Sequence, residues 1–179
     1  INDLLAYSRT NTTQRKFVNS DLNQVVKEAL EMLKEEVQDR DAIIEIQNLC
    51  EVNIIPFQFR QLIQNLVSNS LKFSIPGQKP HITISCDFVK YDESSSLDFN
   101  LNTDHHHISI IDNGIGFEPQ YKDKIFDIFQ RLNDRKEYSG TGIGLTIARK
   151  IVENHNGIIT GTGKLNHGAQ FDIYLPCEQ

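Results

Sequence analysis

The stretch from Phe57 to Ser74, FQFRQLIQNLVSNSLKFS, repeats its apolar residues at helical spacing and repeats its polar ones as well. At about 100° per residue, Phe59, Leu62, Ile63, Leu66 and Phe73 share one face, while Asn65, Asn69 and Lys72 share another. The first face has to be buried against a second layer of structure. The second admits two readings. It is either a solvated surface, or a surface turned toward a ligand, in which a carboxamide oxygen serves Mg²⁺ and an ammonium serves phosphate oxygens.

The elements around this helix define the layer that receives it. SDLNQVVKEALEMLKEEVQ is a second amphipathic helix, with Ser20 or Asp21 as its N-cap and Val25, Val26, Ala29, Leu30 and Leu33 directed inward. AIIEIQNL and EVNII are rich in β-branched residues and read as strands, and Pro56 precedes the two-faced helix. HITISCDFVKY and HHHISIIDN alternate as strands, joined through the polar DESSSLDFNLNTD as a hairpin loop. GTGIGLTIARKIVENHNG is a helix that opens in glycine and ends at Gly157, with Ile143, Ile147 and Ile151 inward, and GIITGTGKL and GAQFDIYLP are closing strands. Helices interspersed with hairpin-linked strands predict a two-layer α/β (α+β) sandwich, a mixed and largely antiparallel sheet covered on one face by helices.

A chain of 179 residues, 39% of them hydrophobic, is long enough for one domain with its own core plus a short appendage. Residues 1–15, with INDLLAYSR as a helical end and TNTTQRK as a polar connector, form that appendage, and residues 16–179 form the domain. The missing initial Met and the start inside a helix lead us to expect a piece of a larger protein. Net charge of −6 argues against nucleic acid or an anionic membrane as the main partner. No apolar run approaches a membrane-spanning length and no signal-peptide pattern is present, so a cytoplasmic location is expected, with any membrane segment elsewhere in the parent. Cys50, Cys86 and Cys177 are widely separated, without a CxxC pair; reduced thiols are expected, with neither a disulfide framework nor a zinc site.

Two glycine-bearing segments carry further chemistry. DNGIGF, Asp112 to Phe117, follows a strand; Gly114 and Gly116 permit positive φ and close ligand approach, and Asp112 is an acceptor able to hold an exocyclic amine. Taken alone, the same residues also suit a hairpin turn. GTGIGL, Gly140 to Leu145, sets three alternating glycines at the mouth of a helix, where backbone N–H groups and the helix dipole make a phosphate cradle. It lacks the Lys-Ser/Thr of a Walker loop and does not follow a first strand as a dinucleotide fingerprint does. A flexible loop leading into a helix is the alternative.

Taken in order, these segments resemble the ATP-binding catalytic domain of sensor histidine kinases, in the superfamily that includes gyrase B, Hsp90 and MutL. FRQLIQNLVSNSLKFS is similar to the N box, DNGIGF to the G1 box, IFDIFQRL to the F box, GTGIGL to the G2 box and LNHGAQFDIYLP to the closing G3 region, with Ala169 where many members have Ser or Thr. The resemblance runs from Lys16 to Pro176 and makes INDLLAYSR the end of the dimerisation and phosphoacceptor hairpin. It implies a Bergerat-type fold and, as cofactors, ATP and Mg²⁺. Asn69 is then the metal ligand, Asn65 lies near the reacting phosphate, Lys72 meets phosphate oxygens and Phe73 packs by the nucleotide. Asp112 accepts from the adenine amine, with Gly114 and Gly116 shaping that pocket. Gly140, Thr141, Gly142, Gly144 and Leu145 belong to the phosphate cradle, and Arg131, after Phe129, is assigned to the γ-phosphate. The implied partners are the kinase's own dimerisation helices and a response-regulator receiver domain, in a homodimeric parent.

Asn65 also separates the alternatives. In hydrolysing relatives the residue four before the metal-binding Asn is a Glu that activates water, and an amide cannot act as that base. Transfer to another nucleophile is therefore expected over hydrolysis by a gyrase-type clamp. A nucleotide-sensing module without transfer is the third reading, supported only by Ala169. No H-E-x-R-x-P-like acceptor helix is present, and His81, His155 and His167 are read as structural or solvated. In His105, His106 and His107, only His105 and His107 share a strand face, and a solvated end of the strand is expected rather than a metal site. The segment from Glu118 to Ser139 mixes charges with Ile125, Phe126, Ile128 and Phe129; it reads either as a lid that docks on nucleotide or as a piece fixed on the core.

Overall fold

The computed structural model describes residues 16–91, 103–128 and 142–177. The expected appendage, residues 92–102 of the expected hairpin loop, and Phe129, Arg131, Gly140 and Thr141 lie outside the described residues. Strand β1 (Val18–Asp21) leads into helix α1 (Leu22–Met32) and α2 (Lys34–Asp39), followed by β2 (Ile43–Gln47), β3 (Glu51–Ile54) and the two-faced helix α3 (Pro56–Lys72). Then come β4 (His81–Val89), β5 (His105–Asp112), two single 3₁₀ turns, helix α4 (Gly144–Asn154), β6 (Ile158–Gly163) and β7 (Ala169–Pro176).

The main sheet has five strands in the order β2-β4-β5-β7-β6, with β2 parallel to β4 and the other pairs antiparallel. β1 and β3 form a separate antiparallel ribbon. The expected two-layer sandwich is therefore the observed one. Ribbon strand β1 has no counterpart in the sequence reading, where Ser20 and Asp21 stood only as cap residues. Asp21 does both jobs, ending β1 opposite Glu51 and accepting the Asn23 N–H at 2.8 Å as the cap of α1. The expected single helix beyond it breaks at Leu33, whose φ of −103° and ψ of 9° leave the helical region and separate α1 from α2.

One face of the sheet presents Ile82 and Ile84 of β4, Ile108 and Ile110 of β5, and Phe171, Ile173 and Leu175 of β7, all buried. Against them lies α3, with Phe59, Leu62, Ile63, Leu66, Val67 and Leu71 fully buried, flanked by α1 on one side and α4 on the other. Phe73 leaves the expected apolar stripe: it is the C-cap of α3, half-buried, with the Lys72 ammonium 4.5 Å from its ring centroid.

The histidines and cysteines differ most from expectation. His105 is buried at 2% exposure, and the His107 Nε2–H donates to Asp172 Oδ1 at 2.7 Å while its ring stacks on Tyr174, so neither is a solvated strand end. Neighbouring strands supply these partners, which a single strand's alternation does not reveal. Cys50 and Cys86 are joined as a disulfide, correcting the expectation of reduced thiols; only the pairing of distant strands brings together residues 36 apart in the chain. His155 is structural as expected. Its Nδ1–H donates to the Ile151 carbonyl at 2.7 Å and its Nε2 accepts the Ile55 N–H at 2.9 Å, between the rings of Phe17 and Phe59.

Burial lowers the His155 pKa below the ordinary 6.5, against a smaller opposing effect of the Ile151 bond. A depressed folded-state pKa contributes stability that is present above the ordinary value and is lost as pH falls through the folded one, because protonation removes the acceptor for Ile55. Denaturant unfolding from about pH 7.5 to about pH 5 should show stability falling below pH 6.5. His155→Gln keeps an acceptor but cannot titrate, and should flatten that slope; parallel slopes would remove His155 as the cause.

Candidate nucleotide site

The site is built around the carboxylate of Asp112, the last residue of β5. Its Oδ1 accepts the Gly114 N–H at 2.9 Å and the Ala169 N–H at 3.1 Å, and its Oδ2 accepts the Ser70 hydroxyl at 2.9 Å. A strand end, the following loop, the start of β7 and helix α3 thus meet on one side chain. Burial pushes the Asp112 carboxyl above its ordinary 3.8, while those three bonds work to hold the charge. The loop after Asp112 is tied to the same helix end by the Ile115 N–H, which donates to the Phe73 carbonyl at 2.9 Å.

Two glycines make this close approach possible. Gly116, at φ +61°, faces the carbonyls of Lys164 and Gly168, and Gly168, at φ +89°, faces the Asp112 carbonyl so closely that no Cβ fits at either position. Gly114 packs in the same way against Phe73 O, 2.5 Å from where its Cβ would be. The hairpin-turn alternative for DNGIGF is replaced by a loop locked between α3 and the β6–β7 turn.

Moving along α3 from Phe73 toward its N-terminus, the exposed face carries Asn69 and Asn65. Their amides lie under the mouth of α4: a Cβ built on Gly144 would be 3.9 Å from Asn65 Oδ1 and 3.9 Å from Asn69 Nδ2. Gly142 precedes that helix at φ +74°, and Leu145 packs at the edge of the core. Eight residues of α-helix between Asn65 and Phe73 span about 12 Å, with the Asp112 carboxylate at one end and a helix N-terminus at the other. Asn65 Nδ2 is buried and has no hydrogen-bond partner among the described residues. A buried donor in that state costs about 1–3 kcal/mol, which an oxygen brought by a ligand would relieve.

Of the expected site residues, Asp112, Gly114 and Phe73 meet at the C-terminal end of α3, and Asn65 and Asn69 meet Gly144 further back along it; Gly116 packs against Lys164 and Gly168, Gly142 precedes α4, and Lys72 lies over the Phe73 ring. Ser70 and Gly168 were not among them. Ser70 had one readable signal, a hydroxyl on an otherwise apolar stripe; Gly168 had none. Ala169, where many members of the resembled family have Ser or Thr, makes its bond to Asp112 through the main chain. The described part of the segment after Phe117 is fixed on the core: Ile125 and Phe126 are buried, Thr146 Oγ1 donates to the Phe126 carbonyl at 3.0 Å, and the Arg149 guanidinium covers the Phe126 ring at 4.5 Å. Ile128, expected as an anchor, is exposed.

A sheet backed by helices, with a half-buried carboxylate at one end of α3 and a glycine-led helix mouth over the carboxamides further along it, is the arrangement of a nucleotide-binding class of α/β domain. Residues 54–179 match the family described as histidine kinase-, DNA gyrase B-, and HSP90-like ATPase, and the chain belongs to that family. It is 36% identical over 177 residues to the phytochrome-like protein Cph1 of a Synechocystis species, covering 98% of this chain and 22% of that protein. The chain spans about a fifth of the length of this relative and of cyanobacterial phytochrome A of a Nostoc species. Among solved structures, the catalytic domain of histidine kinase ThkA superposes with a TM-score of 0.68 at 25% identity, covering 90% of this chain and 98% of that one. Full-length ShkA in complex with AMPPNP superposes at 0.73 with 20% identity, covering 98% of this chain and 34% of that one.

Asp112→Asn tests the carboxylate directly. The amide keeps an oxygen for the Gly114 and Ala169 N–H groups, so thermal unfolding should shift little. Affinity for a non-hydrolysable ATP analogue, measured by calorimetry, should fall at least about 10-fold, or about 1.4 kcal/mol. Unchanged affinity would take Asp112 out of the pocket.

Proposed function

We propose that this chain is the ATP-binding catalytic domain of a two-component sensor histidine kinase. In the complete protein it passes the γ-phosphoryl group of ATP to a histidine on an upstream helix, for relay to the aspartate of a response-regulator receiver domain. The observation that carries this is that one helix, α3, is joined to Asp112 through Ser70 and sets Asn69 and Asn65 against Gly144 at the mouth of α4. The AMPPNP held by ShkA supports an adenine nucleotide as the ligand.

In this reading, Asp112 takes the adenine amine, with Gly114 and Gly116 admitting the base and Phe73 packing beside it. Asn65 Nδ2, buried and without a described partner, supplies a donor to the reacting phosphate. Lys72 brings positive charge, and the backbone from Gly140 and Thr141 through Gly142 and Gly144 to Leu145 surrounds the phosphates. Arg131 is the residue assigned to the γ-phosphate. The carboxamide chemistry of Asn69 fits a hard cation that keeps water and phosphate oxygens as its other ligands, so Mg²⁺ would be held by Asn69 and would neutralise phosphate charge. Phosphoryl transfer requires chiefly such positioning and charge neutralisation.

Asn65 has no basic oxygen with which to activate water, which disfavours the hydrolysing clamp. The non-transferring module rests only on the missing side-chain hydroxyl at Ala169, and the Ala169 N–H still serves Asp112. Among the described residues no helix is long and apolar enough to cross a membrane. A cytoplasmic site of action and a homodimeric parent belong to the same proposal.

Calorimetric titration of the chain with a non-hydrolysable ATP analogue and Mg²⁺ should give saturable binding at one site. The full-length protein given γ-labelled ATP should acquire an acid-labile, base-stable phosphohistidine, and this chain alone should release little phosphate. Steady phosphate release without histidine labelling would overturn the assignment in favour of a hydrolysing clamp.

A further inference from the structure

The end of the sheet remote from Asp112 carries a second group of chemically able side chains. Cys50 lies in the turn between β2 and β3, Cys86 on β4 and His106 on β5. In the β4–β5 register Cys86 opposes Ile108 and Phe88 opposes His106, so Cys86 and His106 are diagonal neighbours on the helix-covered face. The two sulfurs and a ring nitrogen of His106 all lie within 4.8 Å of one another, and Cys50 Sγ is 3.5 Å from His106 Nδ1. Cys86 is buried, and Cys50 and His106 are half-buried. His105 points to the opposite face of the strand, as does His107, which is engaged with Asp172. Six residues of β5 separate His106 from Asp112, about 20 Å, so nothing in the nucleotide cleft uses this group.

We propose that Cys50, Cys86 and His106 form a binding site for a zinc-class metal ion when the cysteines are reduced, the disulfide being the oxidised state of the same site. Two thiolates and an imidazole are the donor set that Zn²⁺ takes, and three protein ligands leave a fourth position for water or an exogenous ligand. A dithiol reductant gives two electrons and two protons to the Cys50–Cys86 bond and itself becomes a disulfide. Both thiol protons then leave as Zn²⁺ binds, and His106 contributes the Nδ1 lone pair. The ion would join the β2–β3 turn to β4 and β5 by coordination in place of the sulfur–sulfur bond.

The test uses the whole chain, reduced with a dithiol without oxygen and freed of metal and reductant. A thiol assay should count all three cysteines. Zn²⁺ titrated against a chromogenic chelator should bind at one equivalent, and Co²⁺ should give a thiolate-to-metal charge-transfer band with the intense visible bands of a tetrahedral site. The oxidised chain should show neither. Cys50→Ser and Cys86→Ser should each weaken Zn²⁺ binding at least about 100-fold and His106→Ala about 10-fold, with Cys177→Ser unchanged. Circular dichroism identifies any variant that fails to fold, and the cobalt spectrum of the unsubstituted chain decides the matter independently of variants. A reduced chain that yields only one thiol, a cobalt complex without the thiolate band, or Zn²⁺ affinity left unchanged by Cys50→Ser or by His106→Ala would overturn the proposal.

Discussion

A half-buried carboxylate at the junction of four chain segments holds the functional end of this domain together. Asp112 cannot sit between α3 and the sheet without donors for its oxygens, because an ionised group removed from water is tolerated only when hydrogen-bonded. The Ser70 hydroxyl and the backbone N–H groups of Gly114 and Ala169 supply them, and each comes from a different segment. The demand for those donors fixes the height of α3 on the sheet, the path of the loop after β5 and the start of β7. Once α3 is fixed there, Asn69 and Asn65 fall under the mouth of α4 without any further device.

The core plays the complementary part. Leu62, Ile63, Leu66 and Val67 set the rotation of α3 about its axis, and that rotation turns the carboxamides outward. Packing and site chemistry are therefore two faces of one helix. The buried stripe orients the polar one, which needs little specific interaction of its own to be held in place.

Much of this was legible in the chain. The alternation of ITISC and HISIID marked sheet strands with one apolar face, and the two stripes of α3 marked a helix between a core and something else. The order of the glycine-bearing segments carried the family. What stayed hidden depended on register. β1 is four residues with no buried apolar member, so its only signature is the pairing with β3. The fates of His105, His106 and His107 were decided by Asp172, Tyr174 and Cys50, residues brought alongside by strand pairing. The break at Leu33 and the role of Gly168 are likewise set by tertiary geometry, which local propensity does not encode.

The bond from the Ala169 N–H to Asp112 has one more consequence. A main-chain donor is supplied by every residue except proline, so this contact places almost no demand on the identity of residue 169. Side chains at that position can drift while the carboxylate stays satisfied. A comparison of motifs letter by letter would register a departure here where the hydrogen-bond geometry registers none.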